Sequence, residues 1–338
     1  MRSRAFEENP YIDSFYQLLE RDPDVMCLTA NRGVQAYFEA SASRVSQNFI
    51  TLPESISAAV SFCAGLALEG FTPYLHASAA QLVRGGYESA LNHISALNLP
   101  VRLIGLDPAL YHEGGVSGQA IDDFALFSNL PNFTLAEAGD VEELKTGLDL
   151  IHPIKGPVYF RIPLSTAPRL FDGPPSLTQP RVLCEEGDDL LIISMGICST
   201  EVMRVSEALK QARIKFTHLH LFALKPIAKI ALLSHFETSY KGVITVENHL
   251  SQGGLGSQVS TLMHQAYGQE KIPRLVMLGL QDTFAQGGRI PYLMKKYGID
   301  ASAIVAAVET IMKRRLGIST ADLPPSPWKM RSQLTFPI

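Results

Sequence analysis

The sequence predicts an α/β fold of two consecutive domains, each a mainly parallel sheet flanked by helices. Short apolar stretches of strand length alternate with helical stretches through nearly the whole chain, the signature of parallel βαβ units. The 338 residues suffice for about two domains. Between the two alternating runs lies LSTAPRLFDGPPSLTQPRVLCEEG, residues 164–187, where four prolines and two glycines mark the clearest linker. The expected layout is therefore a first domain at 1–165, a linker at 166–187, a second domain at 188–316 and an irregular tail at 317–338.

In chain order, an amphipathic helix over Tyr11 to Glu20 leads into a strand at 25–31. Further strands fall at 49–52, 74–77, 101–106, 133–138 and 158–162, with helices at 56–69, 80–97, 119–127 and 140–152 between most of them. After the linker, strands are expected at 190–195, 216–222, 243–246 and 275–280. The helices of that half lie near 200–213, 226–236, 254–267, 288–297 and 301–314. The proline-rich tail carries Trp328 and Phe336, apolar side chains able to dock it on a surface. No internal repeat is visible.

The chain is organised around NFITLPESISAAVSFCAGLALEG, residues 48–70. A buried strand and a Pro53-Glu54-Ser55 turn precede a helix whose Ile56, Ala59, Val60, Cys63 and Ala67 recur with a 3.6-residue period. Ser55 or Thr51 can cap its first turn, and Glu69-Gly70 suits its end. What sits at the head of this helix is the functional question.

Composition excludes several classes. A hydrophobic content of 46% with 18% charged residues is ordinary for a globular protein. A formal charge of −4 gives no basis for binding nucleic acid or an acidic membrane. No apolar run reaches the roughly 18 residues needed to span a bilayer. The start, MRSRAFEENPYIDSF, has acids and no apolar core of a signal peptide. Cys27, Cys63, Cys184 and Cys198 stand apart, mostly in apolar segments, and read as buried thiols of a reducing cytoplasm.

Three segments of the second half carry a resemblance. They are ALKPIA at 223–228, ENHLSQGGLGSQV at 247–259 and GLQDTFAQGGRIPYLMKKYGIDASAIVAAV at 279–308. In order and with few gaps they resemble the C-terminal domain of the transketolase family. There the corresponding stretches read S-I-K-P-L-D, E-E-H-x-x-x-G-G-L-G-S-x-V and G-x-x-D-x-F-G-E-S-G…L-L-x-K-Y-G-L-D-A. Physically, Gly253, Gly254 and Gly256 mark a tight turn into a helix start, where backbone packs closely or binds an anion. The family places a histidine at the position of His249, which implies a substrate-binding role; a histidine at a strand end is also commonly a surface or supporting residue.

The first half resembles the family's pyrimidine-binding domain, with FITL…VSFCAGLALEG matching its strand, turn and V-G-V-A-A-G-L-A helix. In the family, a turn glutamate bonds N1′ of the thiamin diphosphate pyrimidine and so promotes loss of the C2 proton. Counting back from Gly65, that cofactor-binding position falls on Ile56, which neither donates nor accepts a hydrogen bond. Glu54, two residues earlier, in a rebuilt turn, or else a water, is the candidate catalytic substitute. The offset turns a side chain by about 200° in a continuous helix, and an acid in a first turn is also favoured by the helix dipole alone.

Other positions depart as well. In ASAAQLVRGGYES the two ring positions that hold the pyrimidine fall on Ser78 and Gln81, while Arg84 and Tyr87 remain and the acidic position becomes Glu88. Each lost ring forfeits about 0.5–1.5 kcal/mol of stacking; Ser78 or Gln81 can hydrogen-bond the pyrimidine instead. The family's substrate-facing G-E-D-G-x-S/T-H-Q is matched by HEGGVSGQ, in which Glu113, Gly115, Ser117 and Gln119 fit, Gly114 replaces the acid and Gly118 the histidine. His112 or His76 can fill the site differently, His112 as a catalytic candidate, although either can be an ordinary loop residue. Arg161 in VYFRIP matches a strand-end arginine that contacts substrate; its other reading is a structural salt bridge.

The resemblance implies thiamin diphosphate and Mg²⁺, both held mainly by a partner, since no G-D-G…N diphosphate motif precedes these two domains. The partner is an N-terminal diphosphate-binding transketolase subunit, and the assembly is of the α2β2 kind. The implied reaction moves a ketol or acyl unit from a ketose or 2-oxo donor to an aldehyde. Two other readings stand beside it: a degenerate assembly or regulatory subunit, and the β-subunit of a 2-oxo-acid dehydrogenase.

Overall fold

The computed structural model describes residues 10–30, 38, 48–164, 168–267 and 272–327. Two sheets organise it. The first has seven strands in the order β10-β5-β6-β4-β3-β1-β2, with β1 Val25–Thr29, β2 Phe49–Thr51, β3 Thr72–Ser78, β4 Arg102–Leu106, β5 Thr134–Glu137, β6 Val158–Ile162 and β10 Ala223–Lys225. The second runs β12-β11-β8-β9-β7, with β7 Arg181–Glu185, β8 Leu190–Met195, β9 Phe216–Leu221, β11 Gly242–Leu250 and β12 Arg274–Leu280. Pairing is parallel except at two edges, where β10 runs antiparallel to β5 and β7 to β9. The expected α/β class with two mainly parallel sheets is what forms.

Helices cover both faces, which explains the near-continuous burial of strands such as β4, β6 and β8. On the first sheet these are α1 Pro10–Arg21, α2 Ile56–Leu68, α3 Ala79–Ser89, α4 Asp123–Ser128 and α5 Val141–Ile151. The second carries α6 Cys198–Gln211, α7 Lys229–Phe236, α8 Leu255–Tyr267, α9 Ile290–Lys296 and α10 Ala301–Met312. α2 begins at Ser55, whose hydroxyl accepts the Ala58 amide at 3.4 Å, and ends before Gly70 at φ +96°, a conformation glycine adopts without a Cβ clash.

Several expectations shift. The helix expected at 80–97 is α3 followed by a π-helical turn, Ala90–Ser95, in which Ala96 N bonds Leu91 O at 3.0 Å. The helix expected at 119–127 starts at Asp123, because 112–121 is a loop tied to the second domain. β7 lies inside the proline-rich stretch read as linker: Arg181 and Val182 pair with His220 and Leu219. β10, three residues next to a proline, gave no strand signal; the pairing of Ala223 with Ala136 creates it. Trp328, Phe336 and the N-terminal start lie outside the described residues.

The two units are joined by more than β10. A fully buried chain of side chains crosses between them: His218 Nε2–Ser194 Oγ 2.7 Å, Ser194 Oγ–Ser199 Oγ 2.7 Å, Ser199 Oγ–His220 Nδ1 2.6 Å and His220 Nε2–Glu143 Oε1 3.1 Å. Glu143 belongs to α5 of the first unit and also accepts the Gly139 amide at 2.8 Å. With Glu143 as the acceptor, His220 donates through Nε2, Ser199 donates to Nδ1, and each hydroxyl proton then has a fixed direction.

Candidate functional site

In sheets of this kind ligands bind beyond the carboxyl ends of the strands. There, α2 and α3 start after β2 and β3, and the loops after β4, β11 and β12 converge. Loop 112–119 of the first unit is sewn to loop 281–289 of the second. Gly288 N donates to Glu113 O at 3.0 Å, and Gln119 Nε2 donates to His112 O at 2.9 Å and Gln286 O at 3.3 Å. The loops approach so closely that a Cβ on Gly287 would stand 2.9 Å from Glu113 O, and one on Gly115 3.1 Å from Gly287 N. Both glycines are set by contact.

The same loop explains its remaining glycines. The imidazole of His112 lies over Gly114 and Gly118, where a Cβ would come within 2.7 Å and 2.1 Å of ring atoms. Its Nδ1 accepts the Gly114 amide at 3.1 Å. The imidazole thus fills the space that two side chains would take. His76 does not take part: it is buried beside α1, bonded to Tyr11 Oη at 2.7 Å, and burial lowers its pKa to about 3.

α3 links this loop to the head of α2. Arg84 donates to Val116 O at 3.2 Å and Gln119 O at 3.1 Å, with Asp122 3.6 Å away. The next two residues, Gly85 and Gly86, face Ile56, whose Cγ2 would be 3.1 Å from a Cβ on Gly86. Ile56 is 8% exposed and belongs to the apolar core with Val60. Glu54 lies exposed on the turn before it. Ser78 caps α3, accepting the Gln81 amide at 3.3 Å and donating to Gln81 Oε1 at 3.0 Å.

Behind the loops sits a charge cluster fixed by β6. Arg161 is 1% exposed; Nη1 donates to Glu137 Oε2 at 2.9 Å, Nη2 to Asn248 O at 3.1 Å, and Nε lies 3.1 Å from Asp123 Oδ2 as an ion pair. Burial opposes its charge, but Asp123 and Glu137 outweigh burial and raise its pKa. Tyr159 Oη donates to Asp123 Oδ2 at 2.5 Å. Burial raises the pKa of Glu137, against the pull of Arg161. His249 is also buried: Nδ1 donates to Leu250 O at 2.7 Å and Nε2 accepts the Ala125 amide at 3.3 Å, the bonds of a neutral ring, and burial lowers its pKa. It lies inside the molecule, not on its surface.

Glu247 opens the ENHLSQGGLGSQV motif. It is buried and receives the Leu255 and Gly256 amides at 2.6 and 2.8 Å, closing the start of α8, and burial pushes its pKa up to about 8. A Cβ on Gly254 would lie 1.9 Å from its Oε2. Asp123, Glu137 and Asn248 were not singled out; the signal available was an acid inside the apolar run FTLAEA and an arginine inside VYFRI. Among the described residues no three His, Cys, Asp or Glu side chains form a group able to hold a metal ion. No described helix is long and apolar enough to cross a membrane.

Comparison with known families places this arrangement. Residues 11–168 match the transketolase pyrimidine-binding domain and residues 179–304 the transketolase C-terminal domain. The chain belongs to the transketolase family. It is 28% identical over 303 residues to an uncharacterised transketolase family protein of Sinorhizobium fredii, covering 89% of this chain and 87% of that one. It is 26% identical over 308 residues to a 6-deoxy-6-sulfo-D-fructose transketolase subunit of Clostridium sp., covering 90% and 94%. Among solved structures, a split-gene transketolase described as an inactive β4 tetramer superposes with a TM-score of 0.82 at 26% identity, over 91% of this chain and 98% of that one.

Proposed function

We propose that this chain is the C-terminal subunit of a split, thiamin-diphosphate-dependent transketolase-like enzyme. It transfers a ketol or acyl unit from a ketose or 2-oxo donor to an aldehyde, and it works with an N-terminal diphosphate-binding subunit that holds most of the cofactor and Mg²⁺. Self-association of this chain, giving an α2β2 assembly, is part of the proposal. The observation that carries it is the match of two successive transketolase domains to almost the whole described chain, with site loops sewn together across them. Near-complete two-way coverage of a transketolase subunit and of a split-gene chain supports the partner.

Within that reading, His112 is the imidazole offered to substrate from loop 112–119, standing on Gly114 and Gly118. Glu113 and Gln119 frame the same loop. Arg161 and His249 act from behind, holding the floor through Asp123 and Asn248. Thiamin diphosphate supplies the stabilised carbanion chemistry of such transfers, the protein the orientation and electrostatics. The head of α2 does not fit the pyrimidine in the family's way: Ile56 is packed on Gly85 and Gly86 and brings no carboxylate.

That misfit favours a second reading, a non-catalytic assembly or regulatory subunit. Co-expression with a diphosphate-binding chain separates the two. Transfer from hydroxypyruvate, a small 2-oxo donor, to an aldehyde in the presence of thiamin diphosphate and Mg²⁺, requiring both chains, is expected of the enzyme. An assembly that binds the cofactor and transfers nothing is the regulatory subunit.

A further inference from the structure

The turn that leads into loop 112–119 has an unusual backbone. Asp107 and Ala109, just past the end of β4, stand at φ +47° and +46°, in the left-handed region. Aspartate tolerates that region, but in alanine the Cβ crowds the following carbonyl. A residue held this way persists where its surroundings over-determine it, and such positions cluster at functional sites. Ala109 is buried and opens a 3₁₀ turn, Ala109–Tyr111.

The turn is anchored from both units. In the first, Asp107 N donates to Ile162 O at 3.0 Å, and Asp107 Oδ1 accepts the Leu164 amide at 2.8 Å. In the second, the buried side chain of Asn248 on β11 accepts the Leu110 amide through Oδ1 at 3.2 Å and donates through Nδ2 to Pro108 O at 3.5 Å. These two bonds straddle Ala109, and only this orientation of the amide matches donor to acceptor at both ends. The turn then runs straight into the loop: Tyr111 N donates to Pro108 O and His112 N to Ala109 O, both at 3.1 Å. The imidazole of His112 follows at once, lying on Gly114 and Gly118.

We propose that Asn248 is a positioning residue for His112: its side-chain amide holds the turn around Ala109 in the left-handed conformation, and that turn aims the imidazole. The inference rests on the reading of His112 as the group offered to substrate and adds the residue that sets its direction. Asn248 acts through the backbone of the first unit, from a buried position on the second. The amide is needed because the residue at 109 is alanine; glycine would adopt the same backbone unaided.

Histidine-selective NMR of the full chain, alone, tests it, with the Cε1–H signal of His112 assigned by its loss in His112→Gln. Asn248→Ala removes both bonds to the turn, and the His112 signal should shift while circular dichroism stays native. Asn248→Leu, which keeps most of the volume, should give the same shift and guards against a truncation that unfolds the chain. Ala109→Gly alone should leave the signal unmoved. Combined with Asn248→Ala, it should return the signal toward its wild-type position, a rescue that lost packing would not show. In an assembly that transfers a ketol unit, Asn248→Ala should lower kcat by up to about 100-fold, and Ala109→Gly should recover it. A folded Asn248 variant with an unmoved His112 signal would overturn the proposal, as would a displaced signal that Ala109→Gly does not return. The NMR needs no partner, cofactor or turnover, so an assembly that transfers nothing would overturn the transferase reading and leave this anchor standing.

Discussion

Glycines record what their neighbours are. Gly118 exists beside His112 because no Cβ fits 2.1 Å from an imidazole. Gly118→Ala should push the ring off its platform and cost about 1–3 kcal/mol through overpacking. Urea unfolding gives the cost, and histidine NMR shows the displaced ring; a variant with native stability and an unmoved ring would remove the platform from the account. Glu247 predicts a pH dependence. Its carboxyl is near 4.5 unfolded and about 8 folded, so in that window the folded state keeps a proton the unfolded chain has lost. Stability therefore falls as pH rises from about 4.5 to about 8, by roughly 1.4 kcal/mol per unit at most, and levels off above. Glu247→Gln should flatten that slope while losing one of the two helix-start bonds. An unchanged slope in pH-dependent unfolding would contradict the assignment.

At the scale of elements, apolar period and length located β6 and β8 to the residue, since a strand buried on both faces leaves little else for its sequence to do. What escaped depends on partners distant in sequence. β7 hides among prolines and β10 beside one, and both become strands only by pairing with β9 and β5. The site shows the same division. The loop 112–119 and the head of α2 were legible as altered motifs, and the packing of Ile56 agrees with its apolar character. The salt bridge of Arg161 was one of its two readings; that Asp123 and Glu137 are its partners, that His249 is buried and that His76 turns toward α1 were not legible, because facing is set by tertiary packing. The His218-to-Glu143 chain joins the units in the same way. Ser199→Ala leaves His220 Nδ1 without its partner and Ser194 with only its bond to His218, so a loss of about 1–3 kcal/mol is expected in equilibrium unfolding. No loss would mean that the chain does not contribute to stability.

For the whole molecule, the second half of the chain lends β10 to the first sheet, and a buried polar chain and two interlocked loops join the units, so both line the candidate site. The ends of β2, β3, β4, β11 and β12 form one surface. An N-terminal subunit, in our proposal, brings the diphosphate side of the cofactor to that surface. The chemical question is concentrated at one place, the head of α2, where Ile56 packs in the core and Glu54 lies on the exposed turn. The direct measurement is exchange of the thiamin C2 proton for deuterium, followed by NMR in the assembled protein with Mg²⁺ and the partner chain. We expect exchange well above that of free cofactor, with Glu54→Gln showing whether that carboxylate carries it. Exchange no faster than in buffer, in an assembly shown to bind the cofactor, would contradict the transferase and leave a subunit of assembly or regulation.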